Sequence, residues 1–406
     1  MTVALSLLGG AGAQFFDNDG VPLAGGKLYS YLAGTNTPQA TYTTSAGNIA
    51  HSNPIILDSA GRVPSGEIWL TDSINYKFVL NTSAGALLGT YDNVSGNGGG
   101  ILSSLAAPTG SSLVGFIQSG TGAQARTVQS KLRDTVSVAD FIPAGTNTAT
   151  ADCQPFIKAA LDEVIARGGG TLYFPAATYN LVTTQSDGTV SAHFTLQDVE
   201  GIDFVGYGAV LSSAFSSTSF AAVLFNLNGA RRISFEGFDI VGTFSRTLSV
   251  VNQYSIGAFF LRSGNRDAES ISMRNLRAQN VYYFLTVGSS LPGALRVRTV
   301  LVENVFCFNG YYGLNFQENG DSVTALNFRT TNYVRTYFPY GVSNHQINYT
   351  SVGGDVFTDC LIKAYARDTI NLTVNALIIG NTSNDSHVTV ESQHNPTTQP
   401  TPRIAA

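Results

Sequence analysis

Charge is scarce in this sequence. Only 12% of its 406 residues are Asp, Glu, Lys or Arg, against roughly a quarter in an average soluble protein. The balance is acidic, 22 Lys plus Arg against 27 Asp plus Glu for a net charge of −5. That argues against nucleic acid as a partner. Cysteine is scarce too: Cys153, Cys307 and Cys360 are odd in number, far apart and form no CxxC pair, so a structural zinc is not expected. The five histidines, His51, His193, His345, His387 and His394, are scattered. No metal site and no cofactor is predicted. No apolar run approaches the length of a membrane span, so no membrane insertion is expected. The stretch Val3 to Leu8, followed by Ala11-Gly12-Ala13, imitates a secretory signal but lacks a basic leader and a long apolar part. A first strand is expected there.

What is abundant is Gly (42), Phe (24) and Tyr (18). Tight turns, polar side chains and few long charged stems suit repetitive β architecture. The length exceeds one ordinary core, so two or three units are expected.

The pivotal stretch runs from Ala151 to Val182. Asp152 can cap a helix, and Phe156, Ile157, Ala160, Leu161, Val164 and Ile165 place an apolar face on it. Arg167 suits the carbonyl end, and Gly168-Gly169-Gly170 supplies a left-handed exit. Thr171-Leu172-Tyr173-Phe174-Pro175 follows at once, and no second helical pattern of that quality follows before the C-terminus. One apolar-faced helix ahead of a long series of short strands suits a lid over the open end of a strand stack.

Residues 1–95 read as a compact all-β domain, with strands at Lys27–Tyr31, Thr41–Thr44, Pro54–Leu57, Glu67–Leu70, Tyr76–Leu80 and Leu87–Tyr91. Asp17-Asn18-Asp19-Gly20 resembles the start of a calcium loop, but the remaining ligands are missing, so turn chemistry is expected. Residues 96–150 form a Gly/Ser-rich linker and a neck, in which Ala125 to Phe141 mixes one helical turn with an extended exit. From Ile202 a loose unit recurs, at Ile233–Ile240, Ile271–Arg277, Val300–Phe306 and Ile370–Leu377. Each has alternating apolar residues, a Gly or Asn at the bend and a second apolar step. The starts Ile233, Ile271 and Val300 are separated by 271 − 233 = 38 and 300 − 271 = 29 residues. Period two turns one side of each strand inward, and Asn or Gly tolerates a left-handed corner. The pattern predicts a parallel β-helix over 151–393, with a β-sandwich as the alternative. Residues 394–406 are Pro- and Thr-rich and expected to be extended.

Three stretches resemble bacteriophage tailspikes and tail fibres with a pectate-lyase-like right-handed β-helix. They are the anchor-like Phe16–Tyr29 and Asn53–Val63, the neck Ala125–Phe141, and the helix with Gly168-Gly169-Gly170-Thr171-Leu172-Tyr173-Phe174-Pro175. The resemblance implies a mainly β chain: an N-terminal virion-anchoring domain, then a β-helix capped by one short helix. It also implies a homotrimer, attachment to phage tail proteins through residues 1–95, and host-surface polysaccharide or lipopolysaccharide as target. The place implied is the virion tail, after synthesis in the host cytoplasm. Where the resembled proteins often carry an acidic Gly-Asp-Gly turn after the neck, this chain has Ile142-Pro143-Ala144-Gly145. That departure favours an adhesive structural component over the alternative, a tailspike endoglycosidase.

For the alternative, carboxylates one lap apart would stand about 4.8 Å apart, near the roughly 5–5.5 Å of a retaining glycosidase; two laps approach the inverting separation. Glu303, Glu318, Asp321 and Asp355 are the catalytic candidates. Glu236 with Asp239, Asp267 with Glu269, and Asp359 beside Asp355 are further acidic pairs. Aromatics gather in the same region: Tyr311, Tyr312, Tyr333, Tyr337, Phe338, Tyr340 and Tyr349. Flat rings suit the C–H faces of sugars, and Arg329 and Arg335 could meet anionic groups. The predicted glycan contacts are Tyr311, Tyr312, Arg329, Tyr333, Arg335, Tyr337 and Tyr340.

Overall fold

The computed structural model describes residues 3–96, 104–217, 221–245, 254–288, 296–317, 320–338, 342–352 and 373–379, apart from residues 65, 73, 189 and 344. The chain divides into two compact units, residues 1–133 and 134–406. The division falls inside the predicted neck.

In the first unit the apolar N-terminal stretch is a strand, Val3–Leu5, antiparallel to Trp69–Thr71, which also pairs with Thr41–Tyr42. A second antiparallel sheet runs in the order Ile55–Ile56, Lys27–Leu32, Tyr76–Asn81, Leu87–Val94. Tyr76, Phe78 and Leu80 alternate inward onto Leu28, Ile68 and Leu70. Asp17 Oδ1 accepts from the amides of Asp19 and Val21, both at 2.9 Å, so the acidic run is a turn closed on its own backbone. Asp58 closes an equivalent turn on Ala60 and Arg62. A hairpin, Gly115–Ile117 with Ala125–Thr127, leads into the short helix Val128–Leu132, capped by the Thr127 hydroxyl.

The second unit winds. The capping helix, Gln154–Ala166, buries Ile157, Ala160, Leu161 and Val164 in the same core as Leu172 and Phe174. Its exit is a Schellman arrangement: the Gly169 amide donates to Val164 O at 3.0 Å and the Gly168 amide to Ile165 O at 2.9 Å. Asp152 Oδ1 accepts from the Gln154 amide at the helix start and from Val182, while Oδ2 takes Thr183. One carboxylate thus ties the helix to the first lap. Burial pushes its pKa up, but hydrogen bonds from the Thr183 side chain and the Val182, Gln154 and Thr183 amides prevail and hold it below the ordinary range.

Among the described residues, eighteen strands form one largely parallel sheet around a single axis, which overturns the β-sandwich alternative. Ile202, Ile233, Ile271, Val300 and Val323 stand in one register column. The predicted repeat starts Ile233, Ile271 and Val300 are therefore true lap equivalents, while the start at Ile370 lies outside the described residues. Lap length varies: 233 − 202 = 31, 271 − 233 = 38, 300 − 271 = 29 and 323 − 300 = 23 residues. The shortest lap is nearly pure corner and strand.

Three columns of left-handed residues make the corners. Gly201, Arg232, Ser270, Thr299 and Ser322 form the first; Gly237, Asn275, Asn304 and Asn327 the second; Asn280, Asn309 and Asn332 the third. At the second corner Asn304 Nδ2 donates to Asn275 Oδ1 at 3.3 Å and Asn327 Nδ2 to Asn304 Oδ1 at 2.9 Å. The third carries the same ladder, at 3.2 and 2.6 Å. Asparagine tolerates the left-handed backbone and satisfies its neighbour one lap away.

Inside, phenylalanines stack lap on lap. Phe204 and Phe235 lie 4.5 Å apart with rings nearly parallel, and Phe225 lies between Phe194 at 5.3 Å and Phe259 at 5.5 Å. Beside them His193 is fully buried. Its Nδ1 meets Thr183 O at 2.7 Å and its Nε2 meets Ser213 Oγ at 2.7 Å. Burial lowers its pKa below the ordinary 6.5, against the Thr183 carbonyl and Asp152, which raise it. The unfolded chain therefore binds a proton more readily than the native one, so this group's contribution is complete above about 6.5 and is lost as pH falls toward the lower native value. Thermal melts between pH 7.5 and 5.0 are expected to show a falling Tm, with a weaker fall in His193→Gln.

Candidate functional site: an aromatic shelf on the third face

The corners sort the candidates. Asp321 stands immediately before the first corner and Glu303 before the second; Arg329 lies between the second and third, and Tyr311 and Tyr312 beyond the third. They occupy different faces of the prism, so the region does not form one cleft. Tyr333 and Tyr337 are fully buried in the coil core, which corrects their assignment as glycan contacts. Burial also drives both hydroxyls to titrate well above their ordinary range. Arg335 holds the lap position next to Tyr312. Glu318, Tyr340, Asp355 and Asp359 lie outside the described residues. Phe338 and Tyr349 are placed only by backbone register, beside Asn315 and Phe328.

The carboxylates do not pair with one another in register. One outward column reads Glu236, Arg274, Glu303, Leu326; another reads Glu200, Arg231, Glu269, Arg298, Asp321. Acid alternates with base. Arg274 Nε meets Glu303 Oε2 at 3.2 Å, and Arg298 Nε meets Asp267 Oδ2 at 3.2 Å. Asp239 has Arg277 as its lap neighbour. Such half-exposed pairs contribute about 0–1 kcal/mol each. They put an arginine where a retaining or inverting mechanism needs its second carboxylate.

What the structure does gather is aromatic. Beyond the third corner Tyr282 and Tyr311 are lap neighbours, stacked at 5.3 Å with an interplanar angle of 22°. Tyr312 meets Tyr311 edge-on at 4.7 Å and Tyr282 at 6.0 Å, and Phe244 extends the row to Tyr282 at 5.6 Å. All four are half-buried. Tyr282 and Tyr312 rest on a small apolar cluster separate from the coil core: Val190, Ala192, Val223 and Tyr283, with Phe260 packed against it. Phe260 also lies 5.9 Å beneath the guanidinium of Arg262. Arg262 pairs with Asp187, which also accepts from Asn226 Nδ2 at 3.3 Å. Burial pulls the Arg262 pKa down. Arg262 Nε and Asn226 Oδ1 are both buried without a partner, one donor and one acceptor beside the shelf. A hydroxyl group has the complementary pair.

Sequence reasoning found Tyr311 and Tyr312 but missed Tyr282, Phe244 and the Asp187–Arg262 pair. The signal for Tyr282 was available, since Val281-Tyr282-Tyr283 matches Gly310-Tyr311-Tyr312 at the 29-residue lap separation.

Among the described residues no group of three or more His, Cys, Asp or Glu could hold a metal ion, and no helix is long and apolar enough to cross a membrane. No family profile and no curated protein sequence matches the chain. Among solved structures, the tailspike protein of E. coli bacteriophage HK620 is similar to it. A double mutant of that tailspike in complex with a pentasaccharide shares 15% identity, over 70% of this chain and 58% of that one, at a TM-score of 0.42. A second pentasaccharide complex shares 16% identity over 74% and 60%, at 0.41. A third shares 16% identity over 73% and 62%, at 0.39. This chain thus spans about three fifths of the tailspike chains it matches.

Proposed function

We propose that the chain is a phage tail fibre or tailspike: a structural virion component that anchors to the tail through residues 1–95 and attaches to host-surface glycan. Assembly as a homotrimer belongs to the same reading. The aromatic shelf carries the proposal, because ring faces held across successive laps of a stiff stack suit the C–H faces of a polysaccharide and require no rearrangement on binding. The resemblance of the anchor-like segments, the neck and the first lap to tailspikes supports it. The alternation of acid and base supports adhesion over hydrolysis.

Binding of the purified protein to lipopolysaccharide and capsular polysaccharide from the host is the test. Tyr311→Ala is expected to weaken binding about tenfold, the size of one stacking contact, with the native circular-dichroism spectrum retained. Chain length of the polysaccharide should stay constant over hours of incubation. Full binding by a Tyr282→Ala/Tyr311→Ala double variant would overturn the shelf assignment.

A further inference from the structure

A second aromatic platform lies at the second corner. Tyr207 sits between two glycines in Gly206-Tyr207-Gly208, and its side chain is 56% exposed. An exposed tyrosine ordinarily samples several rotamers; this one is held from two sides. A Cβ added to Gly237 would meet ring atoms Cγ, Cδ1 and Cδ2 at 2.8, 2.9 and 3.0 Å. Three near-equal distances place the ring face-on over that glycine, with its other face turned outward. The hydroxyl donates to Glu236 Oε1 at 2.5 Å and accepts from Asn275 Nδ2 at 3.1 Å.

Those bonds end a longer chain. Asn327 donates to Asn304 at 2.9 Å, Asn304 to Asn275 at 3.3 Å, Asn275 to the Tyr207 hydroxyl, and Tyr207 to Glu236. Every link points the same way, so each polarises the next. The corner ladder therefore terminates by orienting one exposed ring. Support of the corner alone would not require this, since the third corner carries its own asparagine ladder. Glu236 and the exposed Asn275 hold the hydroxyl, the exposed Asn304 and Asn327 continue the corner one lap apart beyond it, and the Arg274–Glu303 pair stands in the column next to them. Tyr173 is also exposed and belongs to the same outward column, two laps before Glu236.

We propose that this corner is a second saccharide-binding site, on a different face from the aromatic shelf, and that it takes a neutral pyranose. A ring face offers the stacking surface, the carboxylate and amides supply hydroxyl partners, and two glutamates against one arginine disfavour an anionic sugar. Amides repeat along the corner at about one strand spacing, close to the advance of an extended pyranose chain per residue. The site stands on its own geometry and does not depend on the shelf.

The test is fluorine NMR of the full chain labelled with 3-fluorotyrosine, the Tyr207 line being assigned by its absence in Tyr207→Phe. The probes are the methyl glycosides of glucose, galactose, mannose and N-acetylglucosamine, and methyl glucuronide. The Tyr207 line should shift saturably with at least one neutral glycoside, at least tenfold more weakly with the glucuronide, and equally well in Tyr282→Ala. In unlabelled protein carrying Tyr282→Ala and Tyr311→Ala, sugar saturation-transfer signals should persist when Tyr207→Phe is added and fall about tenfold when Tyr207→Ala is added. A stationary Tyr207 line with all four neutral probes would overturn the proposal. So would an equal response to the glucuronide, or loss of the response in Tyr282→Ala. Failure of the shelf reading would appear separately, at the Tyr311 line.

Discussion

Replacing Phe235 by alanine should cost about 3–5 kcal/mol of stability. The ring is fully buried, stacks on Phe204 at 4.5 Å, and touches Phe225 and Phe259, each at 4.8 Å. Removal takes one neighbour from each of three rings and leaves a cavity between parallel strands whose spacing is fixed by the backbone ladder, so collapse is limited. In a stack where each lap touches only its neighbours, loss at one interface also uncouples the laps on either side. Denaturant unfolding followed by circular dichroism should show a lowered midpoint or a split transition. Phe235→Leu should retain more than half of the lost stability. An alanine variant as stable as the parent would mean that the phenylalanine column does not hold the laps together.

Gly310→Val should be nearly as damaging, by the opposite route. A Cβ at Gly310 would fall 2.3 Å from Tyr333 Cζ and 2.6 Å from its hydroxyl oxygen, and Tyr333 is the register neighbour on the next lap. That ring is fully buried and has nowhere to swing. Overpacking of this kind costs about 1–3 kcal/mol, and valine should reach or exceed the upper end. The clash involves the ring tip, so Tyr333→Leu removes it. The double variant should be more stable than the sum of the single losses predicts, with a coupling of about 1 kcal/mol or more. Simple additivity would place Tyr333 elsewhere. Gly257 beneath Tyr283 has the same relation, with the added Cβ 2.2 Å from the ring.

These two pairs also explain what the sequence could and could not reveal. The helix, its glycine exit and the column Ile233, Ile271, Val300 were legible, because apolar spacing and turn residues act locally. The asparagine corners were legible for the same reason. Which tyrosines face inward was not. Alternation of period two is reset at every left-handed corner, so parity counted along Val305 to Val334 cannot be carried past Asn309 or Asn332. Tyr333 turns inward into the space that Gly310 leaves one lap away, a relation visible only once the 23-residue lap is known. Carboxylate pairing failed similarly: Glu236 and Glu303 are two laps apart, and only the register reveals Arg274 between them. Tyr207 was overlooked because a lone tyrosine flanked by glycines reads as an ordinary turn.

The alternating columns constrain how such a rod could lengthen. Solenoids grow by copying units, and here Glu200, Arg231, Glu269, Arg298 and Asp321 change sign at every step. Copying any single unit within that series sets like charges side by side at the seam; copying two together preserves the order. Growth in even increments is the arithmetic this surface imposes.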